Sequence, residues 1–171
     1  MNRVRTKPTS GNDRGFAVDR QIARIEGDVA ARRGGGIMRF ELFEREANSI
    51  DTVSAQVGPK PKLMALSYDT MSAVVSHPVY LHFACYPALE HGGATSFSFA
   101  STPHSPLAYQ GSPPPAPTSE WRAEQFDYPR YGTWYDHYLV RGNVPAQFTF
   151  RGQQDQVRVA SQSGPFILYR R

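Results

Sequence analysis

Acidic and histidine side chains are the residues of this chain whose types could carry out acid–base chemistry. Asp69 follows a short apolar run, and His77 and His82 come soon after it. In open α/β sheets, ligands bind beyond the carboxyl ends of strands, so an acid there can hold a hydroxyl group or a cation. The first catalytic hypothesis is therefore a cleft that joins Asp69 to His77 or His82. The context "YDTMS" is also typical of a turn or a helix N-cap, and the sequence favours that structural role.

The histidine and cysteine spacing does not predict a metal site. A zinc-binding helix carries histidines at i and i+4, whereas His77 and His82 are five positions apart with Pro78 between them. His82 and Cys85 can share a helix face, but two ligands without a third make no zinc site. We expect neither a metal nor a cofactor. Cys85 is the only cysteine and lies in the apolar stretch "HFACYPAL", so it is expected to behave as a small hydrophobic residue.

The chain lacks the motifs of several large enzyme classes. It contains no GxSxG of serine hydrolases, no GxGxxG of dinucleotide-binding proteins and no GxxxxGK[ST] of P-loop proteins. The glycines of "EHGG", residues 90–93, offer free amides that an oxyanion loop would use. A helix C-cap explains the same glycines, and the polarity of a helix C-terminus is wrong for an anion.

The densest polar run is "YDHY" at residues 135–138, followed by "LVR". Neighbouring residues of a strand point to opposite faces, so the pattern predicts no single catalytic cluster at these positions. The apolar pair after the run predicts a strand that is buried on both faces. We therefore expect a central strand with Asp136 and Arg141 as its polar ends.

Composition and charge divide the chain into two parts. Of 171 residues with a net charge of +4, residues 1–37 hold eight basic and four acidic side chains, and residues 38–171 hold eleven of each. The sequence thus predicts a flexible basic N-terminal segment, 1–37, and a single α/β domain, 38–171. No secretory signal and no run of 18 apolar residues is visible, so we expect a soluble chain. The sequence does not favour nucleic acid as a partner, because aromatic residues are not interleaved with the charges of the basic segment, and binding through that segment is kept only as a third hypothesis.

The order of elements predicts the fold class. Helix–strand alternation followed by a hairpin indicates a mixed sheet of about five strands, flanked by helices, with an antiparallel C-terminal hairpin. The predicted helices are 22–32, 39–57 and 78–91 (interrupted at Pro87), with short helical stretches at 120–126 and 145–150. The predicted strands are 62–69, 94–101, 135–141 and the two arms of a hairpin around Gly164, and residues 102–119 form a proline-rich surface loop.

Three segments carry a resemblance to a known family. "HPVYLHFACYPALEHGGATSFSFA", "YDHYLVRG" and "SGPFILYRR" resemble the C-terminal soluble region of bacterial multi-pass membrane glycosyltransferase-like proteins of the protein-mannosyltransferase and aminoarabinose-transferase group. Domains of that group end in a strand of the type W-x-LYR. Here Phe166 stands in place of the tryptophan and is followed by Leu168, Tyr169 and Arg170. The resemblance covers residues 38–171.

The resemblance implies an extracytoplasmic accessory domain rather than a catalytic one. In that group the catalytic acid lies in loops between N-terminal transmembrane helices, and this chain has no such helices. The first functional expectation is therefore a non-catalytic domain that contacts a glycan or a membrane-embedded transferase body. The alternative is a small stand-alone enzyme that uses Asp69 with His77 or His82 at the strand ends.

Overall fold

A mixed five-stranded sheet forms the centre of the fold, with the strand order β2-β1-β3-β5-β4. The computed structural model describes residues 36, 38–101, 104–106, 108–117 and 119–171. The strands are β1 Lys62–Ser67, β2 Ala94–Thr95, β3 His137–Arg141, β4 Arg158–Ser163 and β5 Phe166–Arg170. Strands β2 and β3 run parallel to β1, and β5 runs antiparallel to both β3 and β4. This confirms the predicted α/β class and the antiparallel C-terminal hairpin.

Short helices cover the sheet. The α-helices are α1 at residues 38–47, α2 Ser49–Ser54, α3 Cys85–Glu90, α4 Tyr128–Tyr131 and α5 Ala146–Thr149. Turns of 3₁₀ helix lie at Val79–His82, Phe99–Ser101, Ala123–Gln125, Gly132–Trp134 and Gln154–Gln156. Within the described residues, no helix has the length and apolar composition needed to cross a membrane.

The chain divides into two compact units, Met1–Glu41 and Leu42–Arg171. In the first unit the described residues 36 and 38–41 are helical. The predicted helix at 22–32, and almost all of the predicted flexible segment 1–37, lie outside the described residues. The sheet and both cores described below belong to the second unit.

Strand β3 is the central strand that its sequence predicts. All five of its residues are buried, and it pairs in register with β1 (Leu63 opposite His137) and with β5 (Leu168 opposite Leu139). Because side chains alternate along a strand, Leu139 packs into one core and Val140 into the other. The first core also holds the apolar face of α1 and α2, and the second is rich in tyrosine and phenylalanine.

The segment from 78 to 101 differs from its prediction. The expected long helix is divided into the 3₁₀ turn Val79–His82 and a separate helix α3, Cys85–Glu90. Pro87 lies in the first turn of α3, where a missing N–H removes no helical hydrogen bond, so it neither kinks nor ends the helix. The predicted strand 94–101 ends at Thr95. Beyond it, the N–H of Ser96 still donates to the carbonyl of Leu63 at 3.0 Å, but the next N–H of β1, that of Ala65, donates to the Ser96 hydroxyl oxygen at 3.0 Å.

Candidate functional site

The carboxyl ends of β1 and β3 are adjacent, and the chain leaves them in opposite directions. After β1 it moves toward β2 at one side of the sheet, and after β3 it moves toward β5 and β4 at the other. Such a switch point is where open α/β sheets place their ligands. Gly142 allows the close approach, because its φ is +122° and a Cβ there would lie 3.2 Å from the Cβ of Tyr68. The residues around this point are therefore the first candidates for a site.

Arg141 fills the switch point with a buried guanidinium. Its side chain is only 5% exposed, and its Nη1 lies 2.7 Å from Oδ2 of Asp69. The guanidinium donates to the backbone carbonyls of Asp69 and Met71. It also lies over the ring of Tyr80, 3.6 Å from the ring centroid. Asp69 is thus the partner of a buried cation, and the turn role that its sequence favours is supported by the Met71 N–H that its side chain accepts.

Glu46 of α1 is the second carboxylate at Arg141, with an N–O distance of 3.7 Å. Burial raises its pKa, but donation from the Ser72 hydroxyl and the Ala73 N–H, together with the Tyr80 hydroxyl and the Arg141 charge, lowers the pKa below its ordinary value. Burial, and after it the nearby Glu46 carboxylate, raises the pKa of Tyr80 to about 12. Glu46, Asp69 and Tyr80 all contact the Arg141 guanidinium, so the arrangement stabilises the loops after β1 and β3.

The switch-point cluster therefore offers little to a ligand. Two carboxylates surround one guanidinium, which gives a net negative charge and makes the cluster unsuitable for a phosphate. Of the two acids, Asp69 is half-exposed and already paired, and Glu46 is mostly covered. A structural function explains every contact that the cluster makes.

The structure places the three predicted catalytic candidates in different surroundings. Asp69 pairs with Arg141, whereas His82 faces Glu120, with 3.4 Å between Nδ1 and Oε2. His77 is exposed in the loop that leads to the 3₁₀ turn. Within the described part of the chain, no hydrogen bond or ion pair joins Asp69 to either histidine.

Asp136 and His137 do contact each other, which the strand pattern did not predict. Oδ1 of Asp136 lies 2.6 Å from Nδ1 of His137 and also accepts the N–H of Lys62 at 2.9 Å. The contact forms because Asp136 precedes β3, so strict strand alternation begins only at His137. Tyr135 likewise packs into the second core with Tyr138, not on the face of His137. The pair resembles half of a catalytic triad, but no cavity described below is lined by either residue.

A cavity lies beyond the carboxyl end of β2, and we call it the aromatic groove. It has a volume of about 510 Å³ and is lined by His82, residues 96–99, Pro113, Pro114, Ala116, Pro117 and residues 119–121. Trp121 and Phe99 are 57% and 60% exposed, and both line this one groove. An exposed concave surface with aromatic walls and a few polar groups is typical of a binding site.

The proline-rich loop forms one wall of the aromatic groove. Pro114 and Pro117 are buried, and the hydroxyl of Tyr135 donates to the carbonyl of Pro115. Burial raises the pKa of Tyr135, so its hydroxyl stays protonated and able to donate. This bond attaches the middle of the proline-rich loop to the second core and thereby fixes the wall.

Polar chemistry in the aromatic groove comes mainly from His82 and Glu120. Their side chains are 39% and 24% exposed, and the His82 ring lies 4.8 Å from that of Phe99. Glu120 is the one acidic residue among the described residues that line the groove, and no lysine or arginine lines it. The hydroxyls of Ser98 and Ser119 accept backbone N–H groups of neighbouring residues.

Cys85 lies near this groove but is not activated as a nucleophile. Its thiol is half-buried and donates to the carbonyl of Phe97 at 3.5 Å. Burial, with a smaller contribution from the Glu120 charge, raises the pKa of the thiol. Reactive cysteines have lowered pKa values, so Cys85 behaves as the small hydrophobic residue that the sequence predicted.

A second cavity of about 490 Å³ lies between α1, α2 and α3. Phe43, Phe83 and Tyr86 give it an aromatic side, and Glu44 and Glu90 belong to its acidic side. Glu90 accepts a hydrogen bond from Ser54 at 2.9 Å, which uses part of its acceptor capacity for the contact between α2 and α3. We regard this cavity as secondary because Glu90 and Ser54, two of its polar side chains, are engaged in holding α2 and α3 together.

Sequence reasoning missed the residues that make the aromatic groove, because Phe99, Glu120 and Trp121 belong to no motif. The proline-rich loop was predicted as a surface feature, and an aromatic residue on either side of it is the one signal that was available. The described residues contain no group of three or more histidine, cysteine or acidic side chains that could hold a metal ion. In comparisons with known proteins, no family model, no curated protein and no solved structure matches this chain.

Proposed function

We propose that this chain is a non-catalytic domain that contacts a carbohydrate through the aromatic groove. The proposal agrees with the resemblance to the soluble accessory region of lipid-linked-sugar glycosyltransferases. The observation that carries it is the pair of exposed aromatic rings, Phe99 and Trp121, in one groove with the His82 and Glu120 side chains.

The chemistry of the groove suits a sugar ring. A pyranose has an apolar face of C–H groups, which packs on an aromatic face, and an edge of hydroxyl groups, which needs hydrogen-bond partners. Trp121 and Phe99 offer the faces. Glu120 accepts from hydroxyl groups, and an imidazole such as that of His82 can donate or accept.

The acidic residues support binding rather than catalysis. Glycoside hydrolysis uses a pair of carboxylates that flank the scissile bond, about 5–9 Å apart. Glu120 has no second acid among the described residues that line the groove. Asp69 and Glu46 are committed to Arg141, and Asp136 is committed to His137.

Ligand-observed saturation-transfer NMR of the purified chain with mannose and mannobiose tests the proposal, because the method detects weak binding. We expect transfer to the ring protons of the sugar, lost in Trp121→Ala. The matched control is Phe148→Ala, which removes an exposed aromatic residue of α5 outside the groove and should leave the transfer unchanged. Transfer that persists in Trp121→Ala, or is absent from the wild-type chain, contradicts the proposal.

A further inference from the structure

We infer that the aromatic groove selects its saccharide by charge, binding neutral and amine-bearing sugars and excluding uronates and sugar phosphates. The inference rests on the proposed function and adds a substrate class to it. The inference depends on the position of the Glu120 charge in the groove, whereas the proposed function depends only on the aromatic rings and on hydrogen bonding.

The first step is the location of the acid. Glu120 lines the groove beside Trp121, and its carboxylate lies 3.4 Å from the Nδ1 atom of His82. It is 24% exposed, so it is partly removed from solvent and still accessible from the groove. A partly desolvated carboxylate acts on a neighbouring charge more strongly than one in open water.

The second step is the absence of a compensating cation. No lysine or arginine is among the described residues that line the groove. Two titratable groups lie near Glu120: His82, whose ring is also packed against Phe99, and the thiol of Cys85, whose pKa is raised mainly by burial and partly by the Glu120 charge. Among its described residues, the groove therefore has one acidic side chain and no lysine or arginine to offset it.

The third step concerns the aromatic rings. The face of an aromatic ring carries partial negative charge and attracts cations. The rings of Phe99 and Trp121 therefore attract positive charge and repel negative charge, as the Glu120 carboxylate does. An ammonium group on a bound sugar gains from both, whereas a carboxylate or phosphate group is repelled by both.

The test compares sugars that share one ring: glucose, glucosamine, glucuronate and glucose 6-phosphate. Affinities are measured by saturation-transfer titration at pH 7, where the amine of glucosamine is largely protonated and the two acidic sugars are ionised. We expect glucosamine to bind more tightly than glucose. The two anionic sugars should bind about fivefold more weakly than glucose, which is the effect of one like-charge pair near 4 Å in water-like surroundings.

Glu120→Gln keeps the size of the side chain and removes its charge, so it should bring the four affinities to within about twofold of one another. Glu124→Gln is the matched control, because Glu124 is exposed in the next 3₁₀ turn and does not line the groove. Equal binding of all four sugars to the wild-type chain, or unchanged discrimination in Glu120→Gln, overturns this inference and leaves the proposed function standing. If none of the four binds, the proposed function fails and this inference fails with it.

Discussion

Replacement of Arg141 by alanine tests whether the cluster at the carboxyl ends of β1 and β3 is structural. The guanidinium is 5% exposed and joins the loop after β1 to the end of β3 through Asp69 and the carbonyl of Met71. It also covers the ring of Tyr80. The alanine variant loses these contacts and leaves Glu46 without its cation.

The size of the effect follows from what stays buried after the change. Removing one partner of a buried ion pair costs about 3–5 kcal/mol. Asp69 is half-exposed and can be rehydrated, which reduces the cost, but the cation–π contact with Tyr80 adds to it. We therefore expect a loss of about 3–4 kcal/mol, a large part of the roughly 5–15 kcal/mol that stabilises a typical domain.

Urea denaturation followed by circular dichroism measures this loss, because urea, unlike guanidinium, does not screen charges. Arg141→Lys keeps the charge but not the branched donors, so we expect it to recover only part of the stability. Arg158→Ala, at an exposed position of β4, is the control and should change the stability by less than about 0.5 kcal/mol. A loss below about 1 kcal/mol in Arg141→Ala would show that the cluster is not structural and that Arg141 is free for another role.

Two further predictions concern residues near the sheet. The pKa of Glu46 is lower in the folded chain than its ordinary value of 4.5, so the ionised carboxylate stabilises the fold. This stabilisation is fully present above pH 4.5 and is lost as the pH falls through the lower pKa of the folded state. Glu46→Gln should therefore lose about 1–2 kcal/mol at neutral pH, and its urea midpoint should fall less steeply than that of the wild type between pH 6 and pH 3. An equally steep fall in both proteins would refute this assignment. A Cβ at Gly93 would collide with the ring and carbonyl of Pro61, whereas Gly92 has open space and a φ of +68°. Gly93→Ala should thus cost about 3 kcal/mol and Gly92→Ala about 1 kcal/mol in the same assay, and the reverse order would contradict the packing that we describe.

Local patterns predicted the parts of the fold that depend on nearby residues. The apolar pair after "YDHY" identified β3 as a central strand, and the turn at Gly164 identified the hairpin, whose glycine has a φ of +52°. The sequence predicted a mixed sheet with an antiparallel C-terminal hairpin, but it did not predict the order of the five strands. The strand prediction at 94–101 failed beyond Thr95, because the alternation of Phe97 and Phe99 with small residues suits a strand but gives no information about available partners.

The contacts that define both candidate sites are long-range, and this is why sequence reasoning could not predict them. Arg141 and Asp69 are 72 positions apart, and His82 and Glu120 belong to different segments that meet only in the folded chain. The sequence analysis joined Asp69 with His77 or His82 in one hypothetical cleft. The actual partners of Asp69 and His82, a buried arginine and a glutamate beside a tryptophan, determine which of them can meet a ligand.

The location of the aromatic groove follows from how the sheet uses its polar residues. At the start of β3, the Asp136 carboxylate contacts the His137 ring and accepts the N–H of Lys62. At the end of β3, the Arg141 guanidinium pairs with the carboxylates of Asp69 and Glu46. Strand β2 is only two residues long. Among the described residues, the chain beyond Ser96 makes no further pairing with β1 and can be covered by the proline-rich loop that Tyr135 fixes. His82 and Glu120 lie beyond this short edge strand and not at the centre of the sheet, where Arg141 fills the space. Their side chains therefore stay partly exposed in the aromatic groove, which is also lined by the exposed rings of Phe99 and Trp121.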